Sequence, residues 1–339
     1  MPSKFTQICM LIVGLMIMSN ANGQTLGGSS IFNFMKLPFS PQLSSLGGDN
    51  ISTLNPELSM ASFQPSLLRK EMTNTISATY NRFYAGIAQL QGNYAFHSDQ
   101  LNTTFLASMG YLNYGTVDRT DPSGNILGTF RPYDAVLQFS ASKKYLEHWY
   151  YGATLKYIIS SYDQYTSNAL AMDVGLNYLD SAKGWQAGFL ATNMGSQIRV
   201  YNQIHEDLPF DLKLGISKRF RQTPFQLSIT ANRLHRFNLI SEDSAFINNG
   251  LKTTKPNFLN NAVRHLVFGL QIFPIQKIEL SVGYNILRKA ELSVPNTVNG
   301  LTGFSAGMAL LLAQIQFRYA MSGYQGNSGY HQVGFQIKL

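Results

Sequence analysis

The chain has one cysteine, Cys9, in 339 residues. No internal disulfide can form, and no cysteine set for a zinc site exists. Charge is scarce too. Only 13 % of residues are Asp, Glu, Lys or Arg, against roughly 25 % in an ordinary globular protein. Apart from the start of the chain, no segment nears the roughly 18 consecutive apolar residues of a membrane helix. The densest patch is Leu310-Leu311-Leu312-Ala313. There is no dense basic run either. The net charge of +8, from 26 Lys+Arg and 18 Asp+Glu, is spread singly. Nucleic-acid binding therefore has no footprint, and anionic lipid head groups are the more natural counterpart. Abundant residues are Phe (22), Tyr (18) and Gly (28), in a chain that is 45 % hydrophobic. That mixture suits a β-rich protein with one apolar and one polar face.

Residues 1–23 have the plan of a secretory signal peptide. Lys4 precedes the apolar run Ile8–Met18, and Ser19-Asn20-Ala21-Asn22-Gly23 follows. Ala21 and Gly23 fit the small positions of a cleavage site, which makes Gln24 the first mature residue. Cys9 stands at the front of the apolar run, so a lipoprotein reading fails. An exported chain without disulfides needs another source of stability, and closed strand pairing supplies it.

The alternation of residue types carries the main argument. Phe210-Asp211-Leu212-Lys213-Leu214-Gly215-Ile216-Ser217 is apolar at even positions and polar or glycine at odd ones. The runs 225–232, 278–286, 313–319 and 333–339 alternate as strictly. Such a strand has one greasy and one wet face. Similar runs at 74–83, 87–96, 101–113, 133–141, 149–159, 170–178, 185–193, 265–273 and 304–310 bring the expected number to fourteen. Most approach the about nine to eleven residues of a tilted membrane strand. Short turns are expected at 97–100, 144–148, 180–184, 221–224 and 274–277 and near Leu311. Longer loops are expected between them, at 114–131, 161–167, 195–208, 236–262, 288–302 and 321–330. Only an up-and-down meander puts the short turns at one end and the loops at the other. Aromatics gather near strand ends, among them Tyr80, Tyr94, Tyr114, Trp149, Tyr150 and Phe225, the girdle position of a membrane barrel.

The expected fold is thus all-β: a 14-stranded antiparallel transmembrane β-barrel over 74–339. It stands in an outer membrane, with both termini periplasmic and the long loops extracellular. Residues 24–73 do not alternate. They mix Gly47-Gly48 and four prolines with Phe32, Phe34, Leu37, Phe63, Leu67 and Leu68. A free tail has no use for so many large apolar groups, and a barrel of this size has room inside. An N-terminal plug is the expectation.

Catalytic candidates are thin. His97, His148, His205, His235, His265 and His331 show no metal-ligand spacing with one another or with cysteine. His265 has lumen parity and could meet a serine, but no Ser-His pair with a third orienting group can be assigned. The glycine pairs are not phosphate cradles, because they do not join a strand to a helix. The reading is no enzyme, no cofactor and no metal.

Several segments together resemble one known family. Phe32-Asn33-Phe34-Met35-Lys36-Leu37-Pro38 with Leu43-Ser44-Ser45-Leu46-Gly47-Gly48 is similar to the opening motif of the PorQ family. These are outer-membrane proteins of the type IX secretion system in the Bacteroidetes. Gln64-Pro65-Ser66-Leu67-Leu68 resembles that family's Asn-Pro-Ala-Leu-Leu, with Gln64 and Ser66 as departures. Tyr114-Gly115-Thr116-Val117-Asp118-Arg119-Thr120-Asp121 looks like its first long surface loop. Leu208-Pro209-Phe210-Asp211 with Leu214-Gly215-Ile216-Ser217-Lys218 resembles its central strand. The resemblance implies a FadL-like barrel of fourteen strands with an N-terminal hatch. It also implies an anchoring role, with a PorZ-like surface protein as partner, joined by PorU and the related barrel PorV. That complex couples secreted cargo to lipopolysaccharide.

The loops are the expected contact surface. Arg236–Ala262 carries Phe246, Ile247, Leu251, Phe258 and Leu259, and Gly195–Leu208 carries Ile198, Val200, Tyr201 and Ile204. Tyr114, Asp118, Arg119, Tyr201, Phe246 and Phe258 are the candidate partner-binding residues. The alternative is a FadL-like passive transporter of hydrophobic small molecules. It would need a greasy pocket above the hatch and a lateral opening marked by a kinked strand.

Overall fold

Fourteen strands close on themselves in a computed structural model that describes residues 30–54, 57–239, 257–293, 300–324 and 329–339. The expected signal peptide lies outside the described residues. The first strands are β1 (Thr75–Arg82), β2 (Ala88–Ser98) and β3 (Thr103–Asn113). A small separate ribbon follows, β4 (Val117–Thr120) with β5 (Ile126–Phe130). The wall continues through β6 (Tyr133–Tyr145), β7 (Trp149–Tyr162), β8 (Tyr165–Asp180), β9 (Trp185–Arg199), β10 (Asp211–Arg219) and β11 (Phe225–Ala231). It ends with β12 (Leu266–Ile275), β13 (Ile278–Asn285), β14 (Phe304–Leu311), β15 (Ile315–Gly323) and β16 (Gly329–Lys338). Each wall strand pairs antiparallel with its neighbours, and β16 returns to β1 with Thr75 opposite Lys338. No free edge is left along the paired stretch, which closure achieves for any sheet.

The alternation of residue types becomes an alternation of environments. Along β1, Thr75, Ser77, Thr79 and Asn81 are buried inside the ring, while Ile76 and Tyr80 stand on the outer wall. The outer wall is greasy all the way round, with Leu90, Leu155, Ile216, Leu280 and Phe335 among its residues. An apolar surface of that extent is unsuited to water and suited to hydrocarbon. Aromatic side chains band it: Phe96 stacks on Phe105 and Phe105 on Phe139, at ring distances of 5.2 and 5.8 Å. Two girdle expectations are corrected. Tyr150 points inward under the guanidinium of Arg69, 3.7 Å from its ring centre, and Tyr114 turns toward the barrel rim.

Connections at one end are short throughout, at 99–102, 146–148, 181–184, 220–224, 276–277 and 312–314. Both ends of the barrel chain, at Thr75 and Lys338, lie at this end. The other end holds the long connections, with one correction. Residues 161–167 are not a loop, because Tyr162 pairs with Tyr165 and the turn is 163–164, with Asp163 at φ 54°. The expected loops 236–262 and 288–302 contain or adjoin short helices, Phe258–Arg264 and Ile286–Leu292.

Residues 30–54 and 57–73 lie against the inward faces of the wall. Two short helices, α1 (Pro41–Ser45) and α2 (Leu58–Phe63), sit in this segment. The Ser40 side chain caps α1 by accepting from the Leu43 N–H at 3.1 Å, and Pro41 takes the first helical position, where no N–H is missed. Side-chain bonds tie the segment to strands all round the ring. Thr79 donates to the Phe39 carbonyl at 2.8 Å, and Gln91 to Ser62 at 3.0 Å. Ser52 meets Ser217 at 2.9 Å, Asn50 donates to Ser228 at 2.8 Å, and Ser281 donates to Ser45 at 2.7 Å. Where backbone meets wall, the wall carries glycine. A β-carbon placed on Gly152 would stand 2.7 Å from the Pro65 carbonyl carbon and 2.8 Å from the Ser66 nitrogen. Gly188, Gly215 and Gly283 face the segment at similarly close range.

Candidate functional site

At the loop end, the candidate residues separate into groups. Tyr114 and Tyr201 come together although they are far apart in sequence. Tyr114 closes β3 and donates its hydroxyl to Asp134 Oδ2 at 2.5 Å, and Tyr162 donates to the same oxygen at 3.3 Å. Ser160 donates to the other Asp134 oxygen, and Tyr201 donates to Ser160. The rings pack as well, Tyr114 on Tyr162 at 5.5 Å and Tyr162 on Tyr201 at 6.0 Å. Burial, followed by the nearby Asp134 carboxylate, holds the Tyr114 hydroxyl far above its ordinary range, so it stays a donor. Burial pushes Tyr201 upward too. Both tyrosines pack on a buried apolar cluster that includes Phe32, Phe34, Leu112, Val136 and Ile158. They clamp two loops to the rim and are only partly buried. Asp134, Ser160 and Tyr162 were not anticipated from the sequence, since a polar residue near a strand end looks like any other wall residue.

Asp118 and Arg119 stand on the exposed ribbon of β4 and β5, where Arg119 pairs with Asp163 of the β7–β8 turn. Phe258 stacks on Phe237 at 5.3 Å and stays 69 % exposed. Phe246 lies outside the described residues. Of the five described candidates, Tyr114 and Tyr201 share one cluster, Asp118 and Arg119 stand on the ribbon, and Phe258 packs on Phe237. His265, weighed as a partner for a serine, instead faces two backbone carbonyls, with Nδ1 2.7 Å from Asn232 O and Nε2 3.2 Å from Phe237 O. Among the described residues, no group of three His, Cys, Asp or Glu could hold a metal.

The wall is irregular where β8, β9 and β10 meet. The register between β8 and β9 shifts between Met172 and Val174, and Asn193 sits at φ 58°. Pairing of β9 with β10 ends at Thr192 opposite Asp211, while β9 continues to Arg199 beside β8 alone. A bulge bends a strand in this way. Loop 200–210 runs back along the unpaired edge, held by side chains. Ser196 meets His205 Nε2 at 2.9 Å, Gln197 accepts from the Glu206 N–H at 2.7 Å, and Asn193 donates to the Pro209 carbonyl at 3.0 Å. Inside the bend, Lys156 reaches Asp173 at 2.6 Å and Asn193 at 2.9 Å.

Behind the bend lies a cavity of about 550 Å³, between the wall and the luminal segment. Met35, Leu37, Phe39, Phe63, Leu208 and Phe210 give it apolar surface. Charged groups also line it. Lys213 is ion-paired with Asp49 and lies 3.5 Å from Asp211, and His235 lies 3.4 Å from that same carboxylate. On the outer face of the same wall, Tyr94, Met109, Phe139, Leu155 and Met172 border an apolar trough. Met194 borders both the cavity and the trough.

No family model matches the sequence, and no curated protein matches it. Solved structures match the barrel fold over most of the chain. The chain is similar to the CymD monoaromatic hydrocarbon channel with a TM-score of 0.52 and 13 % identity, over 89 % of this chain and 97 % of that one. A deltaS2S3 mutant of the TodX monoaromatic hydrocarbon channel matches with a TM-score of 0.52 and 11 % identity, over 89 % of this chain and 99 % of the other. At such identities the likeness is one of fold: a FadL-like closed barrel of fourteen strands.

Proposed function

We propose that this chain is an outer-membrane barrel that works as a platform, holding a surface protein on its loop end. In that orientation the long connections face outside and both barrel ends face the periplasm, with residues 30–54 and 57–73 acting as a plug. One observation carries the reading. Ile126, Leu127, Ile198, Ile204, Phe258 and Leu259 are large, apolar and exposed at the loop end, Ile204 at 70 %. Apolar side chains clustered beyond the membrane belt mark a contact surface. The resemblance to the PorQ family supplies the partner class, a PorZ-like surface protein acting with PorU and PorV near lipopolysaccharide. The test is capture from native outer membranes with a tagged barrel, compared with a variant carrying I204D, F258D and L259D. The partner should be lost from the variant while the barrel remains folded. A partner retained at wild-type level would end this reading.

A second reading has its own support. The bend in β9, its unpaired edge and the cavity behind it are what a route for small hydrophobic molecules needs, and the fold likeness to hydrocarbon channels favours it. The charged lining of the cavity weighs against a greasy ligand. Uptake of a labelled fatty acid into liposomes containing the barrel decides between them, since a platform gives none above protein-free vesicles.

A further inference from the structure

The charges around the cavity do not all find partners. Asp49 is taken by Lys213 and by Asn232, which donates to it at 2.7 Å. Asp211 is shared by Lys213 and His235. Asp173 is taken by Lys156, and Glu291 by Arg233 at 3.3 Å. Two cations remain. Lys36 bonds only the neutral oxygens of Ser30 and Asn33, at 2.9 and 2.7 Å. Arg236 has no carboxylate within ion-pair distance among the described residues. Both line the cavity, as does Arg233. Burial, then the positive fields of Arg233 and Arg236, lowers the Lys36 pKa. Each guanidinium acts on Lys36 more strongly than Asp211 or Glu291 does. Asp207 also borders the cavity, and it is a lining carboxylate without a cationic partner among the described residues.

We propose that Lys36 and Arg236, with Arg233 of the same lining, form a binding site for a phosphate monoester at the loop-end mouth of the lumen. Two unneutralised cations match a group that carries about −1.5 to −2 charges at neutral pH. A guanidinium fork engages two of its oxygens at once, and the ammonium serves as a point charge. The cavity has the size of a small-molecule site, about 300–1,000 Å³, and its apolar side accommodates an uncharged body behind the phosphate. Asp207 opposes the anion and sets its affinity. The proposal stands apart from the platform reading, because it uses the lumen and not the exposed loop residues.

The phosphate could belong to a soluble metabolite or to a lipid head group, and two arms separate these sources. The mature barrel in neutral detergent is titrated calorimetrically with glucose 6-phosphate at constant ionic strength in chloride. In parallel, the barrel in neutral-lipid nanodiscs is compared with nanodiscs containing phosphatidic acid, using thermal unfolding as the readout. Saturable binding in either arm, weakened at least tenfold in both K36M and R236M, restored in part by R236K and strengthened by D207N, is the expected result. The arm that responds names the source. Folding of each variant is checked by the heat-dependent shift of the barrel on a gel. Absence of binding in both arms, or binding that K36M and R236M leave unchanged, overturns the proposal. Loss of surface-partner capture would not bear on it.

Discussion

Arg318 shows how single residues decide the interior. It stands on β15, buried, with its Nε 3.0 Å from Glu57 of the luminal segment and its Nη1 3.1 Å from Glu279 of β13. Glu57 in turn receives the hydroxyls of Ser40 and Ser59. Removing one partner of a buried ion group leaves an uncompensated charge, which costs more than the group contributes when whole. Arg318→Met should therefore destabilise the barrel by about 3 kcal/mol, read as a lower midpoint of urea unfolding in detergent. Adding Glu57→Gln and Glu279→Gln should restore most of the loss, because no lone charge then remains. The sequence shows Arg318 as the polar member of an alternating run, and that much of its placement was legible. Its partners were not, since Glu57 and Glu279 lie far off in the chain and only closure of the ring brings them together. The same limit applies at the rim. Tyr114 and Tyr201 could be singled out by type, but the Asp134 carboxylate that joins them could not.

Among the elements, strand number and order were legible because alternation over eight or more residues has one physical reading once a face must meet lipid. Strand ends were less so. The segment 161–167 is polar enough to resemble a loop, yet β7 and β8 extend to Tyr162 and Tyr165, and only the positive φ of Asp163 marks the turn. Polar residues serve a wet inner face and a loop equally well, so composition does not distinguish the two. The wall glycines are a second case. A lone glycine in a strand weakens it, which hides its use until the segment it faces is placed. Gly152→Val tests that use. Its side chain would enter the space of Pro65 and Ser66, and overpacking of this kind costs about 1–3 kcal/mol. The strand pairing that closes the wall does not run through the segment. The expected outcome is a barrel that keeps its heat-dependent gel shift but whose residues 64–68 become open to protease. Protection equal to wild type would mean the backbone there is not packed as closely as the geometry requires.

For the molecule as a whole, the asymmetry of the two ends is the property on which location and orientation rest. Every connection at one end is a short turn, and that end also receives both ends of the barrel chain, whereas the exposed apolar loops and the mouth with Lys36 and Arg236 belong to the other. Short turns at the periplasmic side and long loops outside is the rule for outer-membrane barrels. It gives a prediction at the scale of the cell. Beyond Cys9 the chain has no cysteine, so a single thiol introduced into a Cys9→Ser background is an unambiguous reporter. Ser123 lies between β4 and β5 at the loop end, and Ser181 lies in the short turn between β8 and β9; both are exposed. A maleimide too large and polar to cross the outer membrane should label Ser123→Cys on intact cells and leave Ser181→Cys unlabelled until the membrane is opened. Labelling of Ser181→Cys alone would invert the barrel. Both the surface platform and the phosphate site would then face the periplasm, and neither could serve a ligand arriving from outside.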